Sequence, residues 1–211
     1  MNDTTASPLR FSTADGGEEL ARAELYGLLA QLWLAPPDQA LLDQFKVAVT
    51  QAPEAGGHLE TPWQALVAAM RATDVAGAAE EHDALFGGVG KPEIFVYASY
   101  YLSGFLNERP LAHLRDELQR LGLTRDDSRG ETEDHVAYLF EVMRYLIAGE
   151  DTAVCNLEQQ RRFFRGQLQP WLGQLCETVE AHPRAKTWRA VAEMTREFVQ
   201  VETQAFDLLE Q

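Results

Sequence analysis

The sequence predicts an all-α protein. Apolar residues recur at helical spacing through nearly all of the 211 residues, alternating strand patterns are almost absent, and Pro and Gly punctuate the chain between periodic segments. Together these predict one compact bundle of roughly nine or ten helices, two of them central. Asp15 is placed to cap a first helix in which Leu25, Leu28, Leu29 and Leu32 form one stripe, and Pro36-Pro37 ends it because proline cannot continue the hydrogen-bond ladder. A short second helix spans 38–49, and 51–61 reads as a loop. A third begins with Thr61 as N-cap and Pro62 in the first helical position. A fourth runs from Val75 to Phe86 and stops at Gly87 and Gly88.

Pro92 then launches a helix at Glu93. From Ile94 to Leu106 it is almost entirely apolar or aromatic, so burial on most sides is expected. Asn107 is expected to cap the next helix, with Leu111, Leu114, Leu118 and Leu121 on one face and Gly122 near its end. The stretch TRDDSRGETED, 124–134, is the most polar of the mid-chain and reads as a hinge. A second buried helix follows, with His135, Tyr138, Leu139, Val142 and Leu146 in one stripe and Val136, Phe140, Met143 and Ile147 in another. Asp151 or Thr152 starts the next helix, Pro170 opens another, and Pro183 precedes a long last helix to about Leu209. The expected organisation is a disordered arm over 1–14 and a helical domain over 15–211. Its subdomains are placed at about 15–123 and 133–211, joined by a hinge at about 124–132.

Apolar residues at 45% and charged residues at 24% are ordinary for a globular chain, but the formal net charge of −15 is not. It argues against nucleic acid and anionic membranes and favours basic partners, although an acidic surface also serves solubility alone. No apolar signal-peptide core and no run of 18 apolar residues is present, so neither a secretory leader nor an integral membrane segment is expected. Cys155 and Cys176 form no C-x-x-C pair and read as reduced structural thiols of a cytoplasmic protein.

Catalytic frames are missing. GGVGK resembles a phosphate-binding loop, but Leu85 stands where its first glycine belongs and Pro92 where the magnesium-binding hydroxyl belongs, leaving a turn between helices. His58, His82, His113, His135 and His182 are scattered without a metal-ligand spacing, and EEHD at 80–83 reads as a solvated helix turn. Ser103 lacks the G-x-S-x-G frame because Tyr101 occupies its first position. The sequence therefore assigns no catalytic, metal or cofactor residue. ETEDH, Glu131 to His135, sets carboxylates and a histidine where a polar hinge meets a greasy helix. It reads as a helix start, with Thr132 as cap and Glu133 and Asp134 in the first turn; acid–base chemistry would need a second, facing polar set, which the sequence does not display.

Several segments together resemble the TorD/DmsD/NarJ-type redox-enzyme maturation chaperones. They are LFGGVGKP leading into a Y-x-S helix (Tyr97, Ser99), FLNERPLAHLRDELQRLGL, ETEDHVAYLFEVMRYLI, which is similar to that family's E-P-x-D-H signature, and QQRRFFRGQLQPW. Thr132 replaces the signature's usual proline and Gln167 a common histidine. The resemblance implies a two-subdomain TorD-like helical fold and a non-enzymatic cytoplasmic chaperone. Such a chaperone binds an apo-molybdoenzyme catalytic subunit, or its twin-arginine signal peptide, until cofactor insertion. Glu131, Asp134 and His135 carry over as signature positions, with Tyr97 and Ser99 as the opposite wall. The segments are most similar to those of chaperones associated with formate dehydrogenases, with TMAO or DMSO reductases next, so the resemblance implies a client of one of these types. The resemblance also implies a monomer or domain-swapped homodimer and weak guanine-nucleotide binding. The alternatives are an all-α module for another amphipathic or basic partner, and a hydrolase or nucleotide-dependent enzyme.

Overall fold

The computed structural model describes residues 17–48, 57–87, 91–126, 128 and 130–209. Among these residues it contains ten α-helices and one π-helical turn, and its β structure is a single isolated bridge. The chain is all-helical, as the periodicity predicts. The expected cap Asp15 and the 1–14 arm lie outside the described residues, as do Gly88 to Gly90. By contacts the chain divides into two compact units, Ala35–Ile94 with Cys176–Gln211 and Ser12–Leu34 with Phe95–Leu175. Segment 124–132 thus lies inside the second unit.

The first unit holds α2 (Gln39–Val47), α3 (Glu60–Ala72), α4 (Val75–Phe86) and α10 (Thr187–Leu208). Asp38 and Asp74 start α2 and α4 by accepting the N–H of Leu41 and of Gly77, each at 2.8 Å. The start of α3 differs from expectation: Leu59 occupies the cap without a side-chain bond, and Pro62 is the third helical residue. The missing N–H costs nothing there, because the first i→i−4 bond is made by Trp63 to Leu59. At the far end of α2, Arg71 donates to the carbonyls of Phe45, Lys46 and Ala48, closing the helix terminus. α10 packs on α3 and α4, burying Trp188, Val191 and Phe198 with Leu66, Val67, Met70 and Leu85.

EEHD is not a solvated turn. Glu81 Oε1 accepts the N–H of Lys186 at 2.7 Å and of Trp188 at 2.9 Å, while Oε2 accepts that of Thr187 at 3.1 Å. A carboxylate from α4 therefore closes the N-terminus of α10, where unpaired N–H groups and the helix dipole favour an anion. His82 packs edge-on against both Phe86 and Trp188, with ring centroids 5.2 Å away in each case. Burial holds its imidazole below the ordinary range, while Asp83 opposes that shift.

The second unit holds α1 (Gly17–Leu34), α5 (Ala98–Ser103), α6 (Arg109–Arg120), α7 (Val136–Ala148), α8 (Leu157–Phe163) and the π-turn Phe164–Leu168. The π-turn runs on into α9 (Gln169–Glu180), within which the division between units falls. Its paired central helices are α1 and α7, with Tyr26 edge-on to Phe140 at 5.6 Å. The predicted buried helix over 93–106 is thus corrected. Residues 94–97 are not helical: Tyr97 is extended, Ile94 and Val96 are buried in a period of two, and only Ala98–Ser103 is helical. Gly104, at φ +82°, ends that helix, and Leu102, Phe105 and Leu106 are exposed, Phe105 at 70%.

Asn107 does not cap α6. It sits at φ +60° in the turn, and Glu108 takes the cap position without a side-chain bond. The far end of α6 behaves as expected: Gly122, at φ +72°, closes a Schellman motif through Gly122 N–H to Gln119 and Leu123 N–H to Leu118. α8 starts later than predicted because Asn156, not Asp151 or Thr152, accepts the N–H of Gln159. Pro170 stands at the start of α9, as expected, although that helix continues from the π-turn. It lies in the first turn of α9, just after the π-turn, whose last bond runs from Gln169 N–H to Phe164 O. A ring that cannot donate and that crowds the carbonyl four residues back is accommodated by this local widening.

Candidate functional site

The five residues singled out from the sequence come together in the second unit. The joint is the antiparallel bridge between Tyr97 and His135, formed by Val136 N–H to Val96 O at 2.9 Å and Ala98 N–H to Asp134 O at 3.0 Å. Asp134 is 1% exposed; its Oδ2 accepts the Ser99 N–H at 2.9 Å, and its Oδ1 the Thr132 hydroxyl at 2.6 Å. It therefore caps α5 from a distant part of the chain. His135, also buried, caps α7 by accepting the Ala137 N–H at its Nδ1. The cap of α7 is thus His135 and not Thr132, and Glu133 and Asp134 precede the helix. The His135 ring meets Tyr97 nearly perpendicular at 5.2 Å. Ser99 is fully buried, and its hydroxyl finds no partner among the described residues.

Tyr97 and Glu131 complete the clasp. The Tyr97 hydroxyl donates to Glu131 Oε2. Burial first, and then this carboxylate, push the phenol well above its ordinary range, so it stays protonated and remains a donor. Of the five residues, Glu131 reaches an open surface. It lines a groove of about 850 Å³ contained in this unit. The floor comes from Gly27, Ala30 and Leu34 of α1, Leu118 of α6 with Leu123 beyond it, and Ala137, Tyr138, Val142 and Tyr145 of α7. Asp126, Glu131, Glu133 and Glu141 stand along it with Arg125 and Arg144. α7 is therefore not buried all round: Val136, Leu139, Phe140, Met143 and Leu146 are, whereas Tyr138, Val142 and Tyr145 open onto the groove.

Two of the four groove carboxylates, Glu133 and Glu141, are paired with arginines. Arg115 grips Glu133 through two bonds of 2.9 Å and holds its carboxyl below the usual range. Glu141 pairs with Arg144 at 2.8 Å, and Asp126 accepts the N–H and hydroxyl of Ser128. Sequence reasoning missed the α7 face of the groove. Its signal was Tyr138, Glu141, Val142 and Tyr145 at i, i+3, i+4 and i+7, a helical stripe built of tyrosine and glutamate where a core stripe would carry leucine.

A family profile described as nitrate reductase delta subunit matches residues 53–177, more than half of the chain. The chain belongs to the nitrate reductase delta subunit family. This is a family of TorD-type redox-enzyme maturation chaperones, whose partners are molybdoenzyme catalytic subunits. No curated protein matches the sequence. The matched span covers the Tyr97–His135 clasp, α6 and α7, and so most of the groove of this delta-subunit-type chain. GGVGK follows the helix α4, where a nucleotide loop would follow a strand. Among the described residues, no cluster of three metal-ligating side chains occurs, and no helix is long and apolar enough to cross a membrane.

Proposed function

We propose that this delta-subunit-type chain is a non-enzymatic cytoplasmic chaperone that takes the leader or another N-terminal segment of an apo-molybdoenzyme catalytic subunit into the α1–α6–α7 groove. It holds that segment until the molybdenum cofactor is inserted. The observation that carries this is the groove itself, an apolar floor beside carboxylates in a chain of net charge −15. An amphipathic helical segment fits such a surface by laying its apolar face on the floor, and a leader with paired arginines adds the matching charge. Within the reading, Glu131 touches the client, while Tyr97, Ser99, Asp134 and His135 hold it in place. The family's description points to nitrate reductase as one client type. The motif resemblance adds formate dehydrogenases and TMAO or DMSO reductases.

The test is a tagged pull-down from the host lysate after molybdate depletion, read by mass spectrometry. Enrichment of one molybdoenzyme catalytic subunit, lost when cofactor is restored, is expected. Recovery of a different amphipathic or basic partner would assign the groove to another role.

A further inference from the structure

We propose that the groove holds its client in one direction. The basic end lies at segment 124–134 and the apolar part runs along α7 towards Tyr145, so the rest of the catalytic subunit leaves over the C-terminus of α7. The inference rests on the peptide-groove reading above and adds its direction.

The groove has two distinct ends because its long walls, α1 and α7, are antiparallel. Arg22, near the start of α1, donates to Gln160, whose amide donates to the Leu146 carbonyl near the end of α7. Gly27 lies beneath the Arg144 side chain, and the antiparallel course carries Leu34 to the start of α7. There segment 124–134 meets the groove through Thr124, Arg125, Asp126, Glu131 and Glu133. With the Arg115 that grips Glu133 counted in, carboxylates outnumber guanidiniums at that end five to three. The other end is balanced. Gly27 to Leu34 carries no charge, and Glu141 pairs with Arg144 at 2.8 Å. Asp151 lies beyond that end, outside the groove lining, and accepts the Ala153 N–H at 3.0 Å. A leader carries its cations ahead of its apolar stretch, and cations settle where opposite charge is in excess. The leader therefore runs parallel to α7 and antiparallel to α1.

The experiment is thiol trapping in the full-length protein carrying Cys155→Ser, whose remaining native thiol, Cys176, is buried. Thr124→Cys marks the acidic end and Ala148→Cys, in the last turn of α7, the other; both positions are exposed. The peptide is Arg-Arg followed by an apolar helical segment, with one cysteine at its N- or C-terminus held as a mixed disulfide with thionitrobenzoate. Attack by the protein thiolate forms the protein–peptide disulfide and releases thionitrobenzoate, which is followed by absorbance. At Thr124→Cys the N-terminal probe should react at least about fivefold faster than the C-terminal one, because a held thiol acts at a raised effective concentration. At Ala148→Cys the order should reverse. Moving Arg-Arg behind the apolar segment should invert both preferences. Opposite preferences, preferences that do not invert, or equal rates that still exceed those of an Arg-Arg peptide lacking the apolar segment overturn the inference and leave the groove reading standing. Rates no higher than that control at both positions overturn both.

Discussion

At the scale of single residues, burial separates the side chains that touch a client from those that hold the site together. Asp134 accepts two bonds from inside the protein, one of them from the buried Ser99 N–H. In Asp134→Ala that N–H is orphaned, which costs about 1–3 kcal/mol. In a chain of this size the melting temperature should fall by about 2–4 °C per kcal/mol. Asp134→Asn retains an acceptor and should lose less, and Glu131→Gln, at the groove surface, should melt close to the wild type; thermal scans by circular dichroism check the order. An unchanged melt in Asp134→Ala would restore it as a direct client contact. His82 makes a prediction with a definite sign. Its folded value lies below the ordinary value of about 6.5, so the unfolded chain binds more protons as the pH drops past that value. Its contribution to stability is therefore complete above about 6.5 and is lost as pH falls towards the folded value. Melting curves from pH 7.5 to 5.5 should decline, and His82→Phe should flatten that decline. Glu117 and Glu133, held low by Arg120 and Arg115, lose their stabilisation only at the more acid pH where carboxylates protonate.

Between elements, two contacts deserve separate tests because each belongs to one unit. Glu81 supplies the acceptor for three consecutive N–H groups at the start of α10. Glu81→Ala should cost about 1 kcal/mol, the usual value of a lost cap, and speed amide exchange over 186–190 several-fold. Exchange over 137–146, in the second unit, should not change. The second test compares glycines. A methyl at Gly149 would run into Cys155 Sγ and come within 2.7 Å of the Tyr145 carbonyl, a backbone atom that cannot swing away. At Gly27 it would meet the Arg144 side chain at 2.9 Å, a flexible chain that can. Gly149→Ala should therefore destabilise by about 1–3 kcal/mol and Gly27→Ala by much less, as equilibrium urea unfolding would show. Elements bounded by local chemistry were readable from sequence: α4 runs from Val75 to Phe86 as predicted because Asp74 and Gly87 bracket it. The 94–106 stretch was misread because dense aromatics hide the difference between a helix and a non-helical strap. Ile94, Val96 and Ala98 alternate in burial, which only the pairing with 134–136 makes meaningful.

Over the whole molecule, charge and site act at different ranges. The signature residues Tyr97, Ser99, Glu131, Asp134 and His135 were legible as a group, but their division into a buried clasp and one groove carboxylate depends on a bridge between segments nearly forty residues apart. No local pattern in the chain encodes that bridge. The groove's opposite wall, from α1, is more distant still in sequence, and only packing brings Ala30 and Leu34 to Tyr138 and Val142. Net charge, by contrast, is read directly from composition, and its consequence is kinetic. Two of the four groove carboxylates are paired with arginines within the chain, so most of the field that draws in a basic leader comes from the −15 of the whole protein. Raising salt from about 10 mM to about 150 mM shortens the screening length from about 30 Å to about 8 Å. Association of an Arg-Arg leader peptide, followed by stopped-flow fluorescence, should slow by about tenfold or more over that range, while its dissociation changes far less. Glu131→Gln should act the other way round, speeding dissociation by removing a short-range bond and leaving the salt dependence of association nearly intact. If salt instead accelerates dissociation and spares association, the acidic surface serves solubility alone, and recognition rests on the groove.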